Sequence, residues 1–458
     1  MKRQFSTKKS LSILLDEDNN NNNNNKIEDQ SPSFHHLSLN LQHNESPESL
    51  WSRSPISSPC NPSLLYCCIS SLRHDGDVYS IAVSGDLVLT GSSSRRVHAW
   101  YSLDCHSKGC LQASSGDVRA MAAQGNMLFT SHKDHKVRIW NMKSNNNDFK
   151  PKKLTTLPIS NNFKNFILRP ITPQHKDIIS CMAYYNIEGL LYTGSFDKTV
   201  KVWRLNERKC IDSFVAHADN INDMVINQQN GYLFTCSSDG TVKMWMRVYG
   251  ETSHVLIKVL CVNKYPIYAL ALSNTSMLLQ SQNQISSFLY SGCFDGCISF
   301  WEQEVSCQYN MGSRSLQGHQ FAVLCLVALE NLVISGSEDS TIRIWRRSEE
   351  TRVACTHECI AVLEGHRGPV KCLAALSCKD KSVVSFLVFS ASLDQTFKVW
   401  RVKLLQEMKN SSADYCCINE NDDDDMEVRN TRKSMEVERS TVLSPSWVRR
   451  KLHCRSIR

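Results

Sequence analysis

Apolar and polar residues alternate at period two in short stretches through the middle of the chain, and the alternation returns in register seven times. Laid on one another, the segments read TGSSSRRVHAW from Thr90, TSHKDHKVRIW from Thr130, TGSFDKTVKVW from Thr193, TCSSDGTVKMW from Thr235, SGCFDGCISFW from Ser291, SGSEDSTIRIW from Ser335 and SASLDQTFKVW from Ser390. In each, two half-buried strands flank a tight turn, marked in six copies by Asp followed by Gly, Lys, Ser, Gln or His. Trp100, Trp140, Trp203, Trp245, Trp301, Trp345 and Trp400 close the segments, at intervals of 40, 63, 42, 56, 44 and 55 residues. Upstream of each lies an apolar pair three residues apart: Val78/Ile81, Val118/Met121, Ile179/Met182, Ile221/Met224, Ile267/Leu270, Val323/Leu326 and Val370/Leu373. Five of these pairs are preceded, four residues earlier, by His74, His175, His217, His319 or His366.

Short strands recurring in a unit near 40 residues predict an all-β repeat architecture of four-stranded propeller blades. The copies resemble the WD40 family over roughly residues 64–403, which implies a seven-bladed β-propeller. More narrowly, the lead-in LWSRSP, the opening RHDGDVYSIA and a basic insertion before the third repeat resemble the plant JINGUBANG-like group of WD-repeat proteins. The last repeat ends at Trp400-Arg-Val-Lys without an outermost strand. The apolar run Leu64 to Leu72 (LLYCCISSL) is expected to supply it, closing the seventh blade and removing an open edge.

The resemblance implies a hydrogen-bonded tetrad within a blade, made by His, Ser/Thr, Asp and Trp. Four are complete here: His175–Thr193–Asp197–Trp203, His217–Thr235–Asp239–Trp245, His319–Ser335–Asp339–Trp345 and His366–Ser390–Asp394–Trp400. A buried carboxylate is costly unless it accepts hydrogen bonds, and imidazole, hydroxyl and indole donors supply them. Four copies of one set in one chain speak for structure, not catalysis. Ser94 replaces the turn Asp in the first repeat, and Ser114 and Asn263 replace the His in the second and fifth, so those three blades are expected to be softer. The residue after each Trp is never Asp, which argues against the Trp-Asp-x-Arg docking role of cullin-4 substrate receptors.

In relatives, partner contacts concentrate before the turn Asp and just after the first apolar residue of the inner strand. The first position holds Ser93, Lys133, Phe196, Ser238, Phe294, Glu338 and Leu393; the second holds Tyr79, Arg119, Ser180, Asn222, Tyr268, Leu324 and Lys371. Tyr79, Arg119, Lys133, Phe196, Tyr268, Phe294, Lys371 and Leu393 are therefore the candidate partner-binding residues. Arg119 with Lys133 is expected to make a cationic corner, and Tyr268 with Phe294 an aromatic one, suited to a partner that joins acidic or phosphorylated residues to an apolar anchor.

Charge and cysteine content narrow the class. The chain carries 52 Lys+Arg against 45 Asp+Glu, a formal +7. Residues 66–403 hold 36 against 28 of these, a mild surplus well short of a nucleic-acid binder's basic stripe. Nucleic acid or an anionic phospholipid is thus the rival partner class, and a ubiquitin-ligase receptor of another type a third. No apolar run is long enough to span a bilayer, and the N-terminus does not read as a secretory signal. Twenty cysteines are then expected as reduced thiols of a cytoplasmic, or also nuclear, protein. Cys293 and Cys297 with Cys355, His357 and Cys359 form the most metal-like arrangement, but without a C-x-x-C pair, so neither metal nor cofactor is expected. Enzyme fingerprints such as G-x-x-x-x-G-K-[ST] and H-E-x-x-H are absent. Residues 1–63, with the asparagine run Asn19 to Asn25, and the charged tail 404–458 are expected to be disordered. Ser31, Ser46, Ser54, Ser58 and Ser444, each followed by Pro, are candidate phosphorylation sites in those tails. The expectation is a monomeric, non-enzymatic scaffold for protein partners.

Overall fold

The turn Asp, or Ser94 in the first repeat, and the residue after it set the shape of every repeat. Arg95, His135, Lys198, Gly240, Gly296, Ser340 and Gln395 all adopt positive φ, between 57° and 83°. One left-handed residue there reverses the chain tightly enough to pair the flanking strands as hairpins. The computed structural model describes residues 64–404 apart from 114–115, 144–148, 160–172, 249, 280–281, 304–308, 312–314, 349–355 and 380–383. The expected disordered tails, with their Ser-Pro sites, lie outside the described residues.

Within 64–404 the hairpins extend to seven four-stranded antiparallel sheets. Strand β1 (Leu64–Arg73) comes first in the chain. Blade one is then β2 (Val78–Ser84) to β5 (Ser107–Gln112), with β3 (Leu87–Ser92) and β4 (Arg96–Tyr101) between. Blade two contains β6 (Val118–Gln124), β7 (Met127–His132), β8 (Val137–Asn141) and β9 (Lys152–Leu157). Blade three contains β10 (Ile179–Tyr185), β11 (Leu190–Ser195), β12 (Thr199–Arg204) and β13 (Lys209–Val215). Blade four contains β14 (Ile221–Ile226), β15 (Leu233–Ser237), β16 (Thr241–Arg247) and β17 (His254–Val262). Blade five contains β18 (Ile267–Leu279), β19 (Gln282–Cys293), β20 (Ile298–Gln303) and β21 (Tyr309–Met311). Blade six contains β22 (Val323–Leu329), β23 (Leu332–Ser337), β24 (Ile342–Ser348) and β25 (Thr356–Leu363). Blade seven contains β26 (Val370–Lys379), β27 (Val384–Ser392) and β28 (Thr396–Leu404), and its outermost strand is β1. The pairing runs from Leu64 opposite Leu404 to Arg73 opposite Thr396, so the first strand of the ring closes its last blade.

The first strands of successive blades pack in cyclic order and form the inner wall of this seven-bladed β-propeller. Second strands are sandwiched between neighbouring blades, and β11 and β23 are buried along their whole length. That explains the repeated Thr/Ser-Gly-Ser. A Cβ on Gly194 would lie 2.7 Å from both Cys181 Sγ and Met224 Cε, so the next blade's inner strand needs a small residue there. Apolar clusters fill the spaces between blades. Phe129, Ile139, Ile179, Leu191 and Trp203 join blades two and three, and Trp100 stacks on Phe397 at 6.0 Å across the closure. The described cysteines are free thiols, with Cys181, Cys236, Cys293 and Cys372 buried.

Candidate functional site

Tight turns and buried second strands bring the predicted tetrads together. In blade four, Trp245 Nε1–H donates to Thr235 Oγ1 at 2.9 Å, His217 Nε2 lies 2.7 Å from the same hydroxyl, and His217 Nδ1 lies 3.1 Å from Asp239 Oδ2. A carboxylate only accepts, so Nδ1 carries the imidazole proton and Nε2 accepts from Thr235. Asp239 also accepts from the Ala218 N–H at 2.9 Å and from the Thr241 hydroxyl at 2.6 Å. Blade three repeats the chain through His175–Asp197 at 3.0 Å, His175–Thr193 at 2.8 Å and Trp203–Thr193 at 3.0 Å. Blade six does so with His319, Asp339, Ser335 and Trp345, and blade seven with His366, Asp394, Ser390 and Trp400. The four hydroxyl residues are fully buried beneath their Trp, so none is an exposed nucleophile.

Burial would raise the Asp239 carboxyl, but bonds from Thr241 and Ala218 and the nearby His217 more than offset it and hold it at about 2. Asp394 is likewise at about 2, and Asp197 and Asp339 lie well below the usual carboxylate range for the same reason. Burial keeps His217 neutral, at about 4, against the opposing pull of Asp239.

The three departures differ from one another. In blade one Trp100 still donates to Thr90 at 3.1 Å, but His74 packs edge-on to His98, Trp100 and Phe397, and no described group bonds its Nε2. Blade two, expected to be softer without its His, builds a network from another imidazole. His132, two residues after Thr130, places Nε2 2.8 Å from its hydroxyl, while Trp140 donates to that hydroxyl at 2.9 Å. Asp134 instead takes both guanidinium ends of Arg138, at 3.1 and 2.5 Å. Ser114 lies outside the described residues. In blade five, Asn263 Nδ2 reaches Cys293 Sγ at 3.2 Å, and Trp301 Nε1 is buried with no partner among the described residues. Asp295, with no imidazole to meet, is exposed and accepts the Cys297 N–H at 3.0 Å.

These imidazoles predict acid sensitivity. Burial is the first cause that brings His74, His132, His217 and His357 to about 4. A histidine whose folded value lies below its unfolded one stabilises the fold fully above about pH 6.5 and loses that contribution as pH falls toward 4. Asp223, raised to about 6 by burial, works in the opposite sense, one group against these four and against His98, His175 and His366, which burial lowers as well. The melting temperature should therefore hold near neutrality and fall steeply between pH 6.5 and 4.5. A flat profile by calorimetry would contradict the neutral, buried assignment.

The candidate contact residues also come together, for a reason visible only in the register. Every inner strand has a β-bulge immediately after its first residue: Val78/Ser80, Val118/Met121, Ile179/Cys181, Ile221/Asp223, Ile267/Ala269, Val323/Cys325 and Val370/Cys372. The skipped residues include Tyr79, Arg119, Ser180, Asn222, Tyr268, Leu324 and Lys371, and a bulge re-aims its side chain out of the ladder. The turn residue's N–H meanwhile bonds the carbonyl just before the inner strand, as from Phe294 to Pro266 and from Leu393 to Pro369, both at 3.0 Å. The two positions of a blade thus lie side by side. Asn222 donates to Ser238 at 3.1 Å in blade four, and the Tyr268 and Phe294 rings are 6.4 Å apart in blade five.

Exposure sorts the candidates. Lys133 is exposed, Phe294 is 37% exposed, and Tyr79, Phe196, Tyr268, Lys371 and Leu393 are half-buried. The expected cationic corner is narrower than its residue types suggest. Arg119 bonds Asp117 at 3.0 Å and lies over the Tyr79 ring at 4.5 Å, with its side chain only 11% exposed, which leaves Lys133 as the open cation of the two. Leu324 is buried. Beside Phe294 the structure adds Tyr265, stacked on it at 6.1 Å, and the loop that abuts the blade-five turn carries the exposed Phe321; neither was singled out from the sequence. Asp223 was also missed. It accepts from the Met224 and Leu270 N–H groups at 2.8 Å, with Lys371 favouring its charge, and its signal was a carboxylate in a column otherwise holding Ser, Ala or Cys. Among the described residues no cluster of His, Cys, Asp and Glu is placed to hold a metal.

Five segments, 102–141, 168–204, 208–246, 312–346 and 357–401, match the family model described as "WD domain, G-beta repeat". These segments are WD40 repeats. They end on blades two, three, four, six and seven, and the blades the WD40 model passes over, one and five, are those with the unpartnered His74 and Trp301. The chain is 32% identical over 122 residues, 26% of its length, to telomerase protein component 1 of Rattus norvegicus. It is 27% identical over 180 residues, 39% of its length, to the WD repeat-containing protein pop2 of Schizosaccharomyces pombe, and 25% identical over 132 residues, 29% of its length, to ribosome biogenesis protein YTM1 of Coccidioides immitis. It spans only 4%, 21% and 26% of those relatives' own lengths. WD40 propellers are in general non-enzymatic scaffolds for protein partners, and no helix among the described residues is long and apolar enough to cross a membrane.

Proposed function

We propose that this chain is a monomeric, non-enzymatic adaptor that holds protein partners on the face carrying the seven bulges, with its main anchor at the aromatic corner of blade five. One observation carries this reading: the bulge of β18 and the turn of blade five set Tyr268 against Phe294, with exposed Tyr265 stacked on Phe294 and exposed Phe321 on the adjoining loop. Exposed aromatics held on a rigid frame have the composition of interface hot spots. A setting in plant signalling or developmental regulation, in cytoplasm and nucleus, belongs to the same proposal and is supported only by the JINGUBANG-like resemblance.

Partner capture from plant extract tests it. The double variant Tyr268→Ala/Phe294→Ala should lose captured proteins, through dissociation at least about tenfold faster, while melting as the wild type does. Lys133→Glu should slow association and leave dissociation nearly unchanged. Undiminished capture by both variants would move the site to the 141–174 insertion or the charged tail. Capture that collapses between low and high salt would favour the rival phosphate-binding reading.

A further inference from the structure

Blades one and two show what the bulge position does with a cation. Tyr79 and Arg119 are equivalent residues of adjacent blades, and the guanidinium lies over the ring at 4.5 Å. In blades five and six the same two positions hold Tyr268 and the buried Leu324, so the chain supplies no cation of its own there. Among the described residues no Lys or Arg lies over Tyr265, Tyr268, Phe294 or Phe321.

The charge around these rings is negative. In four blades the turn carboxylate faces a histidine, and in blade two it meets Arg138; in blade five Asn263 stands in the His position and Asp295 is exposed. Its turn abuts the loop bearing Phe321, since a Cβ on Gly296 would lie 3.1 Å from the Phe321 carbonyl oxygen. From blade six, Glu338 donates its N–H to the Ala322 carbonyl at 2.9 Å, and its carboxylate acts electrostatically on the Tyr268 hydroxyl. Lys264, exposed next to Tyr265, offsets part of this field.

We infer that the corner formed by Tyr265, Tyr268, Phe294 and Phe321 with Asp295 and Glu338 receives a cationic side chain, Arg or Lys, from an extended partner peptide. The proposal rests on the scaffold reading above and reverses the sequence expectation of an acidic or phosphorylated partner. Ring faces attract cations through their quadrupole, and flanking carboxylates add the Coulomb term that Asp117 supplies to Arg119 within the chain.

The test uses the full chain and short fluorescein-labelled peptides identical except for a central Arg-Arg, Gln-Gln or Glu-Glu, read by anisotropy. The Arg peptide should bind at least about tenfold tighter than the Gln peptide, and the Glu peptide weakest. Phe294→Ala/Tyr265→Ala should remove most of that preference. Asp295→Asn/Glu338→Gln should weaken the Arg peptide and flatten its salt dependence at unchanged melting, whereas Lys264→Ala should strengthen it. The same Arg-peptide affinity in Asp295→Asn/Glu338→Gln as in wild type would place the binding on the acidic tail and overturn the proposal. A preference for the Glu peptide that is lost in the Phe294 variant would overturn the charge assignment and leave the scaffold site standing. Partner capture and peptide binding both unmoved by the aromatic variants would sink both readings.

Discussion

Deleting residues 1–73 should convert the protein into an aggregating species, whereas deleting 1–60 should leave a ring that melts as the full chain does. The longer cut removes β1, whose ladder with β28 runs from Leu64–Leu404 to Arg73–Thr396, and leaves the β28 edge open to pair with another chain. Only Leu64 of β1 is buried, so the strand acts chiefly through its backbone. At roughly 0.5–1.5 kcal/mol net per hydrogen bond, such a ladder is worth on the order of several kcal/mol, a large part of a typical domain's stability. Beneath it lie Trp400, Phe397 and Val402, which keep neighbouring blades dry. Size-exclusion chromatography and thermal melting decide the matter. A monomeric 74–458 chain with unchanged melting would mean that blade seven does not need β1.

Asp239→Ala should cost about 2–4 kcal/mol, because it strips the acceptor from His217, the Ala218 N–H and Thr241 together and leaves the buried imidazole without its carboxylate. Two controls frame that figure. Glu207→Ala removes an exposed ion pair to Arg204, of a kind that contributes about 0–1 kcal/mol. Asp295→Ala removes the same turn residue from blade five, where it is exposed and meets no histidine, and should cost far less than Asp239→Ala. Equal melting temperatures for the three variants would remove the tetrads from the stability of the ring.

The blades were legible because each is a local event: a strand, an Asp turn and a second strand ending in Trp lie within a few residues of one another, so period and turn chemistry suffice to find them. The four full tetrads were legible for the same reason, since one repeat carries all their members. Blade two shows where that reasoning fails. With Ser114 in the His position this blade was expected to be softer, yet His132 sits where other repeats have Ser or Cys and points back to its own Thr130. Blade five shows the converse, for the loss of one imidazole at Asn263 also decides how exposed Asp295 is.

By itself the sequence determined the number of blades, the partners within each tetrad and the strand that closes the ring, because all three follow from repetition and from one repeat that lacks its last strand. Only the tertiary structure decided what each candidate residue meets. The bulge after the first residue of every inner strand is a matter of strand register within its blade, while the guanidinium of Arg119 over Tyr79 and the gathering of Tyr265, Phe294, Phe321 and Glu338 from different loops depend on contacts between blades. Such contacts join residues far apart in the chain whose spacing carries no period, and the packing of one blade on the next sets them.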